Sequence, residues 1–148
     1  MNLLNVATIL CIGLMIGAEF AVSVFLNPVL FKLSLAARAE ATQLFGRLLG
    51  TVMPFWYIAS LLLLLSEAIL HRHSSLILLL GVAVAFWGAA IALSLVSLVP
   101  INNRLVRMGA GGWTESAQRE QRKWDALHRV RVLILVVAMI SFLAGIGI

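Results

Sequence analysis

Charge is scarce in this sequence. Of its 148 residues only 11% are Asp, Glu, Lys or Arg, whereas 62% are hydrophobic. A soluble domain carries roughly 25% charged residues, and a lone chain of this length has too little interior to hide so much apolar surface. A soluble globular fold is thereby excluded, and lipid becomes the natural solvent for the outer surface. Cysteine is nearly absent as well. Cys11 stands alone, so there is no intrachain disulfide and no Cys-based metal cluster. It reads as a small apolar helix residue. Glycine occurs without a P-loop or dinucleotide signature, and no internal repeat or low-complexity tail is present. The opening Met1-Asn2-Leu3-Leu4 lacks the positive n-region of a cleavable signal, so the first apolar stretch is expected to be a retained span.

What is present is four long apolar runs. Their expected limits are residues 3–31, 48–70, 75–99 and 130–148, interrupted inside only by Glu19 and Glu67 and, at the very start of the last, by Arg131. Each approaches the roughly 20 residues needed to cross the hydrocarbon as a helix. Runs such as Leu61 to Leu65 lack the alternation of a barrel strand. The fold class expected is therefore all-α, an antiparallel bundle of four transmembrane helices forming a single domain, with the lipid bilayer as its partner. An amphipathic start over residues 115–129 should lead into the fourth span, capped by Thr114 with Glu115 in its first turn. It should follow a flexible break at Gly109-Ala110-Gly111-Gly112.

The net charge is +5, but it does not point to nucleic acid. Every Lys and Arg except Arg72 falls in the loop after span one or in the segment joining spans three and four with the start of span four. The positive-inside rule then puts those loops in the cytoplasm and both termini outside, as in a multi-pass protein of the cell inner membrane. Gly13 and Gly17 form a Gly-xxx-Gly pair, a spacing that lets helices approach closely.

A charged side chain near the bilayer centre costs about 2.5 kcal/mol or more, so it is usually paired or functional. Glu19, Ser23 and Asn27 follow one another at intervals of four and share one helix face, with Pro28 removing a backbone donor just beyond. Glu19 reads either as a proton-handling carboxyl or as a packing lock. Trp124, His128 and Arg131 share a face at i, i+4 and i+7. They offer an aromatic platform, a proton acceptor and an anion-binding fork, or else an interfacial belt. Pro100 should end or kink span three. Asn102 and Asn103 beyond it suit orienting a polar ligand, or capping a helix. These groups converge at one level, where Met53, Pro54, Phe55 and Trp56 would supply an apolar wall. His71 and His73 lie in the opposite turn and, even with Glu67, make a poor metal site.

The run Val99-Pro100-Ile101-Asn102-Asn103-Arg104-Leu105, followed by Lys123-Trp124-Asp125-Ala126-Leu127-His128-Arg129-Val130-Arg131, resembles the anthrone oxygenase-like membrane family. Its pattern is Val-Pro-x-Asn-x-x-Leu and then Trp-x-x-x-His-x-x-Arg, matched here by Pro100, Asn102, Leu105, Trp124, His128 and Arg131. The resemblance implies four helices and an oxidation without cofactor or metal, with dioxygen as co-substrate, as in the fungal namesakes that convert anthrones to anthraquinones. It implies His128 as base, Arg131 and Asn102 as holders of the enolate oxygen, and Trp124 stacked on the ring. Glu19 completes the expected catalytic set, and Asn27, Asn103 and Trp56 the expected substrate contacts. The rival expectation is a non-enzymatic membrane protein, such as a binder of a lipophilic small molecule, a permease-like homo-oligomer or an accessory subunit.

Overall fold

A computed structural model of the chain describes residues 2–108 and 113–148. The Gly109-Ala110-Gly111-Gly112 segment lies outside the described residues. Four helices make up the described chain, with no strand among them: α1 (Leu3–Leu30), α2 (Leu35–Leu70), α3 (Ile77–Met108) and α4 (Glu115–Gly145). All four are long and apolar enough to cross a membrane.

Neighbours along the chain run antiparallel, as the contacts between them show. Thr8 meets Glu67 and Glu19 meets Tyr57 between α1 and α2. Asn102 meets Gly46 between α2 and α3. Ser94 meets Arg131 and Arg104 meets Glu120 between α3 and α4. Asn27 meets Asp125 between α4 and α1, closing the ring. One end of the bundle therefore holds the α1–α2 and α3–α4 connections, here the loop end. The other holds both termini and the turn at residues 71–76, here the terminal end.

Two of the expected boundaries shift. α2 begins at Leu35, well before residue 48, because the polar residues Arg38, Glu40, Gln43 and Arg47 extend the helix past the apolar run. Ser34 caps it, accepting from the Ala37 N–H at 3.4 Å. Arg38 is not a free loop cation. It is buried and folds back to donate to the carbonyls of Leu30 at 2.9 Å, Phe31 and Leu33, closing the end of α1. Pro100 does not end α3, which continues to Met108. Thr114 is the N-cap residue of α4, but its side chain makes no capping bond and instead pairs with the Ser116 hydroxyl at 2.7 Å.

α1 and α3 share an irregularity. Each contains a five-residue π segment, Val22–Leu26 and Ser94–Leu98, in which the N–H of the next residue reaches back five positions: Asn27 to the Val22 carbonyl, Val99 to the Ser94 carbonyl. A proline stands two residues beyond the segment in both helices, Pro28 and Pro100. Its ring collides with the carbonyl four residues earlier, Val24 or Val96, and both lie inside the wide turn. Pro54 is accommodated within α2 without such a turn, so proline invites the wide turn without dictating it.

The apolar core is divided. A large cluster around Ile12, Met15, Leu64, Leu80, Trp87, Leu135 and Phe142 fills the terminal half. A smaller one around Ala39, Ile101, Leu105, Trp113 and Ala117 closes the loop end. Gly145 belongs to the first, since a Cβ there would lie 2.7 Å from Leu80 Cδ2. Gly13 and Gly17 belong to neither. They are exposed and a Cβ on either would meet nothing within 4 Å, so their spacing serves no helix contact inside this chain.

Candidate functional site

Between the two clusters lies a layer of buried polar side chains drawn from all four helices. Glu19 on α1 is 2% exposed, His128 on α4 1%, and Arg131 9%. Arg131 Nη2 donates to Glu19 Oε2 at 2.7 Å and to His128 Nδ1 at 2.9 Å, while Nη1 donates to the Ser94 hydroxyl at 2.9 Å. The Tyr57 hydroxyl donates to the other Glu19 oxygen at 3.0 Å. His128 Nε2 lies 3.1 Å from the Glu19 main-chain carbonyl. A carbonyl only accepts and a guanidinium only donates, so the network assigns the His128 proton to Nε2 and its lone pair to Nδ1. Glu19 and Arg131 thus neutralise each other around a neutral imidazole, the arrangement that low dielectric demands of buried charge.

The remaining expected residues extend this layer toward the loop end. Trp124 stacks on His128 with ring centroids 4.8 Å apart and 10° between planes. Asn27 Nδ2 donates to Asp125 Oδ1 at 2.7 Å. Asn102 Nδ2 donates to the Gly46 carbonyl at 3.2 Å. Glu19, Asn27, Asn102, Trp124, His128 and Arg131 all line one cavity of about 260 Å³, otherwise walled mainly by apolar residues such as Leu26, Leu49, Met53 and Leu98. A few convergent polar groups in a mostly apolar hollow are the usual make-up of a small-molecule site.

Two expected residues are not brought there. Trp56 faces away, its indole donating to the Cys11 carbonyl at 3.1 Å, and its neighbour Tyr57 occupies the site instead. Asn103 is exposed while Asn102 lines the cavity. Of the expected apolar wall, Met53 and Pro54 contribute, whereas Phe55 is exposed.

Lining residues outside the expected set include Tyr57, Ser94, Asp125, Gly46 and Gly50. Tyr57 and Ser94 lie in charge-free runs that mark no depth. Asp125 stands in a polar segment beside Trp124, where a carboxylate carries no signal of burial. Gly46 and Gly50 form a second Gly-xxx-Gly pair. A Cβ on Gly46 would come within 2.8 Å of Val106 Cγ2 and 2.9 Å of Asn102 Oδ1, so this glycine seats the Asn102 amide. The pair was legible as a spacing, but only packing tells it apart from Gly13 and Gly17.

The polar character is not confined to the loop half. Glu67 is fully buried in the terminal half. The Thr8 hydroxyl donates to it at 3.3 Å, and His71 Nδ1 lies 3.4 Å from its second oxygen. His73 takes no part in this group and instead accepts from Arg72 Nε at 3.1 Å. No set of three metal-ligating side chains occurs among the described residues.

Four membrane-length helices around a buried polar layer and an apolar cavity define a multi-pass membrane protein with a small-molecule-sized internal site. The family model described as anthrone oxygenase matches residues 42–141, well over half of the chain, and the chain belongs to that family. The matched segment covers Tyr57, Ser94, Asn102, Trp124, His128 and Arg131, whereas Glu19 and Asn27 precede it. No curated protein and no solved structure matches the chain.

Proposed function

We propose that this protein oxidises a lipophilic aromatic or quinone-like compound with dioxygen, without a cofactor, in the cavity between its four helices. One observation carries the reading: Arg131 lines the cavity and binds Glu19, His128 and Ser94, yet its buried Nε has no partner among the described residues. A buried donor left unpaired costs about 1–3 kcal/mol, and an acidic or carbonyl oxygen on a ligand would satisfy it. The reaction then follows ordinary carbanion chemistry. A base, His128 Nδ1 or the Glu19 carboxylate linked to it through Arg131, takes a proton from an activated ring CH2. The charge settles on the ring oxygen held by Arg131. The carbanion and dioxygen form a C–O bond, the peroxide takes up the proton, and loss of water leaves a ketone. One dioxygen is consumed and one water released per CH2 oxidised. Trp124, stacked on His128, offers its other face to the ring.

The excess of Lys and Arg at the loop end supports a cytoplasmic placement of that end in the inner membrane, with both termini outside.

The test is direct. Purified protein in liposomes, given anthrone, should consume dioxygen one to one with anthrone and faster than empty liposomes do. A rate equal in native protein and His128→Ala would sink the assignment. A second reading is favoured by the closure of the polar network on itself: both His128 nitrogens and both Glu19 oxygens already have partners. On that reading the cavity only binds a lipophilic molecule, and anthrone would bind without being turned over.

A further inference from the structure

The cavity is not sealed evenly. Its polar lining residues are buried or half-buried. Among the described residues, every lining residue that is also exposed on the outside lies on α2 or α3, and all are apolar: Phe45, Gly50, Pro54, Ile58, Leu95 and Val99. Ile58 and Leu95 are 55% and 65% exposed. None of the lining residues contributed by α1 or α4 is exposed.

Two interhelix hydrogen bonds frame this wall. At its deep edge the Trp87 indole donates to the Tyr57 carbonyl at 3.1 Å. At its shallow edge Asn102 donates to the Gly46 carbonyl at 3.2 Å. Between them α2 carries Gly50 and Pro54, and α3 carries its π segment. These are the features that thin or widen a helix and leave little side chain to fill the seam.

The depth of this exposed stretch follows from charge. α2 has no charged residue between Arg47 and Glu67, and α3 none between Arg72 and Arg104. Ile58 is eleven residues from Arg47, roughly 16 Å along the helix, which is about half of a hydrocarbon layer roughly 30 Å thick. This exposed apolar stretch of the wall therefore runs from the loop-end edge of the hydrocarbon to near its middle.

We propose that this seam is a lateral portal through which the ligand enters from the hydrocarbon of the loop-end leaflet. It selects a compound dissolved in the membrane, with a lipophilic body and a single acidic or carbonyl oxygen. The oxygen leads toward Arg131, and the body trails between Ile58 and Leu95. Charged, water-soluble compounds are excluded, because the outward rim offers no polar group to replace their hydration. Only the chemical identity of the ligand rests on the proposed oxidation; the portal rests on the geometry alone.

Leu98 lines the cavity and is itself buried, so a thiol placed there reports on access. In a Cys11→Ser background carrying Leu98→Cys, reconstituted in phosphatidylcholine liposomes, N-pyrenylmaleimide partitioned into the bilayer should label the thiol. A charged, water-soluble methanethiosulfonate should not. Adding Ile58→Trp and Leu95→Trp, both at exposed positions, should slow pyrenylmaleimide labelling by roughly tenfold or more. Melting temperatures and labelling of the denatured proteins serve as controls. Single Ile58→Phe and Leu95→Phe variants should give intermediate slowing, which covers failure of the double variant to fold. Labelling by the charged reagent at a rate indifferent to these substitutions would place the entrance at the aqueous loop end and overturn the portal. So would a thiol unreactive to both reagents until denatured. Portal labelling without anthrone turnover would leave the portal standing and remove the oxidation.

Discussion

Arg131 Nη2 and Glu19 Oε2 meet at 2.7 Å across the bundle, 112 positions apart in the chain. The pair ties the last helix to the first, and it does so at a depth where neither charge could remain alone. Removing one partner strands the other, at a cost of about 3–5 kcal/mol, whereas exchanging both for apolar residues of similar volume is often neutral or stabilising. Glu19→Leu and Arg131→Met should each lower the detergent melting midpoint strongly. The double variant should recover most of the loss. Additive losses in that cycle would show that the two residues act independently.

Glu67 is buried at least as deeply, and the contrast is informative. Among the described residues no Lys or Arg pairs with it, and its contacts with Thr8 at 3.3 Å and His71 at 3.4 Å are long. Thr8 keeps a second acceptor in the Leu4 carbonyl at 2.9 Å. Glu67→Leu should therefore stay within about 1 kcal/mol of native stability, where Glu19→Leu should not. Equal losses from the two substitutions, measured by the same melt, would contradict this.

Glycine substitutions should separate by packing. Gly46→Ala pushes against Val106 and the Asn102 amide, and overpacking of this kind costs about 1–3 kcal/mol. Gly13→Ala meets nothing and should be neutral or gain up to about 1 kcal/mol from helix propensity. Ranking the two by thermal melts checks the pair. Gly46→Ala should also weaken ligand binding if Asn102 shapes the cavity mouth.

Arg38 closes α1 through three carbonyls. Hydrogen bonds from a charged donor contribute about 1.5–3 kcal/mol, so Arg38→Ala should lose at least one such increment. Arg38→Lys should not restore it, because an ammonium lacks the fork that reaches several acceptors. Faster amide exchange in the α1 C-terminal turn of both variants would mark the loss.

Much of this was legible beforehand, and for a definite reason. Helical spacing put Glu19, Ser23 and Asn27 on one face, and Trp124, His128 and Arg131 on another. Because intramembrane polarity is costly, both faces had to point inward, and they do. Spacing cannot say which of two adjacent residues turns inward when both are plausible. Trp56 was therefore expected where Tyr57 stands, and Asn103 was grouped with Asn102. Nor can it say whether a glycine pair faces a neighbour, which is why Gly13 and Gly17 stood in for Gly46 and Gly50. Hydropathy located the spans but cut α2 and α3 short, since the helices continue through polar turns that leave the hydrocarbon.

The wide turns in α1 and α3 are, in terms of chain editing, single-residue insertions. In a uniform helix Asn27 would sit eight steps beyond Glu19, about 80° off its line. With one residue absorbed by the wide turn, the offset falls to about 20° in the other direction. Ser94 and Asn102 stand in the same relation across the second wide turn. Deleting one outward residue, Val24 or Val96, would barely alter the composition or the hydropathy of the span. It would nevertheless turn everything beyond by about 100°, swinging Asn27 away from Asp125, or Asn102 away from Gly46. In these two helices residue number is a functional quantity in its own right. A homologue one residue shorter between Glu19 and Pro28, or between Ser94 and Pro100, would need a different set of polar partners to build the same cavity.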